Sequence, residues 1–229
     1  MTTATTENQV PRSLPRILED APDFQAKSTH GPIQLSQYTS KGKWVMLFSH
    51  PADFTPVCTT EFIEFARRND DFEKLGVQLI AISIDGLNSH IAWVRDIEQH
   101  ANVKVKFPVI ADLDQKVARL YGMVHEAVSD TATVRAVFLI DPKQKIRTIL
   151  YYPMQLGRNV DELIRALQGL QTSDAHSVSL PANWTPGQPV IVPSPATVED
   201  ANKRASDGAP GLKVETWYLS KKDLPVDGK

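Results

Sequence analysis

The sequence predicts an α/β protein: one sheet flanked on both faces by helices, followed by a smaller C-terminal extension. Three observations carry this. Short apolar runs of buried-strand type alternate with segments of helical spacing. The alternation ends in two adjacent strand runs and a helix. After Gln171 the apolar periodicity gives way to a Pro-rich stretch.

Residues 1–20 are polar and Thr-rich, with Pro11 and Pro15, and read as a flexible arm. Ala21-Pro22-Asp23-Phe24 opens the ordered domain, taken as 21–171. Ile33-Gln34-Leu35 is a short strand, and Trp44–Phe48 a buried one. Phe62, Phe65 and Ala66 then recur at helical spacing, in a helix with Glu61 and Glu64 early and Arg67 and Arg68 late, ending near Gly76. Val77–Ile84 is a buried strand, turned out by Asp85-Gly86. Asn88 or Ser89 caps the next helix, which carries Ile91, Trp93, Val94 and Ile97 and stops around His100. Phe107–Ile110 is a strand. Asp112 or Asp114 starts a helix bearing Val117, Leu120 and Tyr121, closed by Gly122. Ala136–Ile140 and Ile146–Tyr152 form a hairpin through the turn 141–145. Asn159 caps a helix with Val160, Leu163, Ile164 and Leu167.

The extension, 172–229, begins with five prolines between 181 and 197, which disfavour regular helix. A polar helix near Val198–Ser206 and a strand Val214–Leu219 follow. So few apolar residues cannot build an independent core, so the tail packs on the main domain or on a second subunit.

Composition excludes several roles. The chain has 229 residues, 41% hydrophobic and 23% charged, with a net charge of −2. That gives no electrostatic case for binding nucleic acid or an anionic membrane. No apolar stretch is long enough to span a bilayer, and the N-terminus lacks a basic start and an apolar run. One cysteine cannot close an internal disulfide, which favours a reducing, cytoplasmic setting. The six histidines show no metal-ligand spacing, and no Gly-rich loop cradles a phosphate. No cofactor is expected.

That cysteine, Cys58, lies in Ser49-His50-Pro51-Ala52-Asp53-Phe54-Thr55-Pro56-Val57-Cys58-Thr59-Thr60-Glu61. Pro56 suits a helix start, so Cys58 falls in the first turn. Unpaired backbone N–H groups and the positive dipole end favour a thiolate there. From this setting alone, a packed core cysteine and a nucleophile are equally supported. With Glu61 at the third position after Cys58 there is no Cys-x-x-Cys dithiol, and with Glu64 at the sixth there is no phosphatase arginine.

The string Pro51-x-x-x-Thr55-x-x-Cys58 matches the active-site signature of the peroxiredoxins. The longer string Phe48–Glu61 resembles their one-cysteine, peroxiredoxin 6-like branch. Arg135-x-Val137-Phe138-Leu139-Ile140-Asp141-Pro142 and Tyr151-Tyr152-Pro153…Gly157-Arg158-Asn159 match two further segments. The resemblance runs from about Ala21 to Leu219 and implies a thioredoxin-like fold. It implies that Cys58 attacks hydrogen peroxide or an alkyl hydroperoxide, forms a sulfenic acid, and is reduced by an external thiol in antioxidant defence. It makes Arg135 the residue that activates Cys58 and binds peroxide, with Thr55 facing the sulfur and Pro51 closing the loop. His50 and Arg158 join the substrate site. Pro181-Ala182-Asn183-Trp184, Pro186-Gly187 and Val190-Ile191-Val192-Pro193 match the family's extension, which covers the partner's active site in a homodimer or a ring of dimers. The lipase-type Gly-x-Ser-x-Gly of animal relatives is absent from Thr39-Ser40-Lys41-Gly42-Lys43-Trp44, so phospholipase activity does not carry over. A redox-controlled chaperone or peroxide sensor using the same cysteine is the alternative.

Ionisation alone cannot make such an attack fast. An ordinary cysteine is a few per cent thiolate at neutral pH, so full ionisation gains roughly 30-fold. Lower basicity costs much of that in nucleophilicity. The rest requires donors that hold the peroxide in line and stabilise the departing oxygen.

Overall fold

A computed structural model describes residues 14–207 and 210–225; the first thirteen residues of the expected arm lie outside them. Over the rest of that arm, Leu18 N–H donates to Ile146 at 2.7 Å and Asp20 bridges Lys145. The chain divides into two units, Met1–Arg158 and Asn159–Lys229.

The first unit is built on a seven-stranded mixed sheet in the order β2-β1-β5-β4-β3-β6-β7. Its strands are β1 (Gln25–Ser28), β2 (Gly31–Gln34), β3 (Trp44–Ser49), β4 (Val77–Ser83), β5 (Val109–Ala111), β6 (Arg135–Ile140) and β7 (Ile146–Tyr152). β3, β4 and β5 run parallel, while β6 pairs antiparallel with β3 and β7. β3 and β6 are buried at every residue, which is why both read as unbroken apolar runs rather than alternating ones.

Side chains alternate across the sheet. Val45 and Leu47 join Ile80, Ile82, Phe138 and Ile140 on one face, under Val117 and Ala118 of α5 (Lys116–Leu120). On the other face Phe48 stacks 4.5 Å from Phe65 and 6.0 Å from Phe62, both on α2 (Pro56–Arg67). Phe62 lies 4.4 Å from Trp93 of α4 (Leu87–Ala101). Helices thus flank both faces, as expected. A single turn of helix, α1 (Ser36–Thr39), follows β2.

Three local expectations are corrected, and one, the start of α5 at Asp112, is refined. The helix expected to run to Gly76 breaks at Arg68 and resumes as α3 (Asn69–Lys74), where Asn69, Asp70 and Asp71 favour local turns over helix continuation. The N-cap of α4 is Gly86, not Asn88 or Ser89. At α5, the N-cap position is Gln115, yet Asp112 supplies the cap, its carboxylate accepting the N–H groups of Val117 and Ala118 at 3.1 and 2.7 Å. The strand Val214–Leu219 is instead a hairpin of β9 (Lys213–Val214) and β10 (Ser220–Lys222), because Glu215 and Thr216 N–H both donate to the Leu219 carbonyl.

The second unit holds α6 (Val160–His176), β8 (Val190–Val192), α7 (Val198–Asp207), β9 and β10. Asn159 caps α6 as expected, its Oδ1 accepting Glu162 N–H at 3.2 Å. Its three strands pair antiparallel in the order β8-β10-β9. Val178, Trp184 and Val190 form a small apolar cluster with Leu180 and Leu224.

Candidate active site

The site lies at the carboxyl end of β3. There the chain passes through His50–Thr55 into α2, the place where parallel strands of an α/β sheet put their ligands. Thr55 is the N-cap residue with extended backbone, and Pro56 the first helical residue, so Cys58 sits in the first turn. Its N–H lies among those left without helical partners, at the positive end of the helix. Cys58 is a free thiol and fully buried.

Arg135, the first residue of β6, reaches across the sheet end to this sulfur. Its Nη1 is 3.3 Å from Cys58 Sγ and 2.8 Å from Glu61 Oε2. Nε and Nη2 both donate to the Met154 carbonyl, at 3.0 and 2.6 Å. Three acceptors on two elements thus fix a planar fork of donors. A donor aimed at sulfur suits a thiolate.

Arg158 stands behind this arrangement. Its Nε and backbone N–H each donate to Glu61 Oε1 at 2.8 Å, and its Nη2 to Oε2 at 2.6 Å. Nη1 serves the carbonyls of Ser49 and Ala136 at 3.0 and 3.1 Å. The guanidinium lies over Phe48 and Phe65, 5.2 and 5.5 Å from their centroids. The contacts of Arg158 are thus with Glu61, main chain and two phenylalanine rings, not with Cys58 or Thr55. Glu61 is the hinge of an Arg135–Glu61–Arg158 triad whose side chains are all within 3% of full burial. Burial pushes the Glu61 carboxyl up, but the Arg158 charge and its hydrogen bonds, with Arg135, outweigh that and hold it below the usual carboxylate range.

Thr55 is half-buried, and its hydroxyl donates to the Ala52 carbonyl at 2.9 Å instead of capping the helix. Its hydroxyl proton is thereby committed, leaving the oxygen lone pairs as acceptors. Pro51 is buried in the bend after β3. Phe54 takes a left-handed backbone, φ 55°, and is 58% exposed.

His50 is buried against Phe62 and Trp93, at ring distances of 4.9 and 5.1 Å. Its Nε2 meets Asp53 Oδ1 at 2.9 Å. Asp53 also meets His90 Nδ1, at 2.8 Å from Oδ2 and 3.0 Å from Oδ1. Among the described residues, His50, Asp53 and His90 are the one group of three that gathers metal-type ligand atoms, all within 4.8 Å of one another. Their 2.8–3.0 Å separations are those of hydrogen bonds.

Sequence reasoning gives Glu61 only a dipole role and passes over Asp53 and His90. A signal for Glu61 is present: it sits beside Phe62 at the spacing of Cys58 and Phe65, so a charge falls on an apolar helix face and needs a buried partner. For His90, 37 residues from Asp53, no local signal exists.

Residues 17–149 match the AhpC/TSA family, and residues 169–208 match the C-terminal domain of 1-Cys peroxiredoxin. A peroxiredoxin of Caldanaerobacter subterraneus, named peroxiredoxin 2, is 51% identical over 225 residues, covering 98% of this chain and 100% of its own. The yeast mitochondrial 1-Cys peroxiredoxin superposes with a TM-score of 0.80 at 41% identity, over 91% of this chain and 99% of that one. A cysteine-to-serine mutant of the peroxiredoxin 6 of Arenicola marina does so with a TM-score of 0.81 at 34% identity, over 92% and 99%. A thioredoxin-like sheet carrying one cysteine in the first turn of a helix defines a thiol-dependent peroxidase of the one-cysteine type. The chain belongs to the peroxiredoxins of the AhpC/TSA family.

Proposed function

We propose that the protein reduces hydrogen peroxide and organic hydroperoxides through Cys58. The single observation that carries this is the Arg135 Nη1 donor 3.3 Å from the Cys58 sulfur. The thiolate attacks one peroxide oxygen, the O–O bond breaks, and the alkoxide or hydroxide takes a proton and leaves as alcohol or water. Cys58 becomes a sulfenic acid. Arg135 holds the peroxide against the sulfur and stabilises charge on the departing oxygen. Thr55 accepts the peroxide hydroxyl, Pro51 shields the loop, and His50 lines the same site. Arg158 acts through Glu61 by holding Arg135 in place.

With no second cysteine in 229 residues, an external thiol returns the sulfenic acid to thiol. The yeast structure concerns thiol resolution through glutathione and thioredoxin systems, and a small thiol or a thioredoxin-type protein is the corresponding reductant here. The match of 169–208 to a 1-Cys C-terminal domain supports residues 172–229 packing on a second subunit in a homodimer. A lone free thiol supports a reducing compartment such as the cytoplasm.

The test is peroxide consumption with excess dithiothreitol by the wild type and by Cys58→Ser, with mass spectrometry of Cys58 after one equivalent of peroxide. Multiple turnovers lost only in the variant, with one oxygen added at Cys58, are expected. Equal, negligible consumption by both would instead support a peroxide sensor or redox-controlled chaperone.

A further inference from the structure

Ser49 is the last residue of β3 and fully buried, and the reaction as described leaves its hydroxyl unused. The register of β3 with β6 ends at the pair Phe48 and Val137, and beyond it a side chain takes the place of the main-chain ladder. The Ser49 hydroxyl donates to the Val134 carbonyl at 2.5 Å and accepts the Ala136 N–H at 3.0 Å. One hydroxyl, acting as donor and acceptor, thus grips the residues on either side of Arg135. The Ala136 N–H also reaches the Val134 carbonyl, at 3.1 Å, which closes a three-residue turn with Arg135 at its centre. Arg135 is not among the residues of positive φ, so this is the inverse γ-turn common at strand ends.

Joining the two strand ends does not require this hydroxyl. The Thr133 hydroxyl donates to the His50 carbonyl at 2.7 Å, and Arg158 Nη1 bridges the carbonyls of Ser49 and Ala136. Neither bridge engages the Val134 carbonyl or the Ala136 N–H that close the turn. Val134, Arg135 and Ala136 are at most 3% exposed, so bulk solvent does not stand in for the hydroxyl there. What Ser49 adds is the direction in which Arg135 leaves the backbone. The turn sets the root of that side chain, while Met154 and Glu61 hold its tip with Nη1 3.3 Å from the Cys58 sulfur. On so long a side chain, a small rotation at the backbone becomes a large displacement at the guanidinium.

We infer that Ser49 is a positioning residue for the peroxide reaction: its hydroxyl holds the turn that aims the Arg135 guanidinium at Cys58. This rests on the peroxidase reading. The partners of the hydroxyl are main chain on either side of Arg135, so it acts through Arg135.

The test has two arms. In the first, Ser49→Ala removes the hydroxyl and Ser49→Thr keeps it. The rate of Cys58 oxidation by hydrogen peroxide should fall about tenfold with alanine, the scale of one lost hydrogen bond, and threonine should recover most of it. In an Arg135→Lys background the same alanine substitution should cost less than about twofold, because the residue it acts through is already gone. A tenfold loss in both backgrounds would mark a structural residue and overturn the role, as would an alanine variant as fast as the wild type. In the second arm, ¹⁵N-edited spectra follow the Arg135 Nε–H, which donates to the Met154 carbonyl. Its exchange with solvent should be slow in the wild type and the threonine variant and faster with alanine. Unchanged exchange with alanine overturns the inference. Should the alanine variant not fold, Ser49→Val, which matches threonine in shape, takes its place in both arms. If neither folds, Ser49 is a structural residue and the assignment fails. If wild-type Cys58 is inert to peroxide, the peroxidase reading fails by itself, and the exchange arm still decides whether the hydroxyl aims Arg135.

Discussion

One nitrogen of Arg135 serves both Cys58 and Glu61: Nη1 lies 3.3 Å from the sulfur and 2.8 Å from the carboxylate oxygen. The Glu61 carboxylate thus holds the Arg135 guanidinium against the Cys58 sulfur, and Arg158 holds that carboxylate through three donors. The contact to the sulfur and the buried ion pairs are one structure.

Arg135→Lys should therefore fail although it keeps the charge. A lysine ammonium cannot reproduce the fork that spans sulfur, carboxylate and the Met154 carbonyl. The rate of Cys58 oxidation by hydrogen peroxide should drop by about 10²–10³, the scale of a lost oxyanion donor. Stopped-flow tryptophan fluorescence or competition against a second peroxidase would measure it. A lysine variant within a few-fold of wild type would remove Arg135 from the transition state.

Glu61→Gln tests the support. Taking one partner from a buried ion pair leaves the others uncompensated, at a cost of about 3–5 kcal/mol. The effect depends on pH in a defined direction. The Glu61 carboxyl lies below its ordinary value of 4.5 in the folded state, so its contribution is complete above about pH 4.5 and fades as pH falls through the lower folded value. Urea midpoints from pH 7 to pH 3 should show the gap between wild type and Glu61→Gln closing below about pH 4.5. Asp53, also held low by His50 and His90 against its burial, titrates in both proteins and drops out of the difference. A gap that stays constant with pH would refute the assignment.

What the sequence discloses about this protein divides by range. β3 and β6 are readable because burial on both faces writes an unbroken apolar run, and α6 because Asn159 precedes its periodic Val160, Leu163, Ile164 and Leu167. β1 is not, since Gln25-Ala26-Lys27-Ser28 is a mostly polar strand held by its pairing with β2. The end of the chain misleads because Trp217 and Tyr218 look like strand residues yet sit exposed at a hairpin turn. Cys58 is identifiable from its local string, but its meeting with Arg135 spans 77 residues and comes only from the resemblance. The Asp53–His90 contact has neither a local pattern nor a matching string behind it.

Asn159→Ala addresses the second unit. The Asn159 side chain accepts Glu162 N–H, one of the helix's orphan donors, and loss of such a cap costs about 1 kcal/mol. Asn159→Asp keeps the acceptor and adds a charge that the helix dipole favours, so it should match or exceed wild type. Thermal denaturation with amide exchange over α6 would read both. Alanine and aspartate variants of equal stability would show that the cap contributes nothing.

Thr55→Val separates a catalytic hydroxyl from a structural one. Threonine at an N-cap ordinarily stabilises its helix, and a loss of activity could then be blamed on unfolding of the first turn. Here the Thr55 hydroxyl donates to Ala52 O at 2.9 Å and makes no cap bond, so valine leaves α2 no worse capped. What valine removes is an oxygen acceptor whose own proton is already committed. The prediction is a fall of roughly tenfold or more in the peroxide rate, the scale of one lost hydrogen bond in the transition state, with iodoacetamide alkylation of Cys58 and the circular dichroism of the helix preserved. Thr55→Ser, which restores the oxygen, should recover most of the rate. If serine is as slow as valine, the methyl group and not the hydroxyl matters, and Thr55 is a packing residue of the loop.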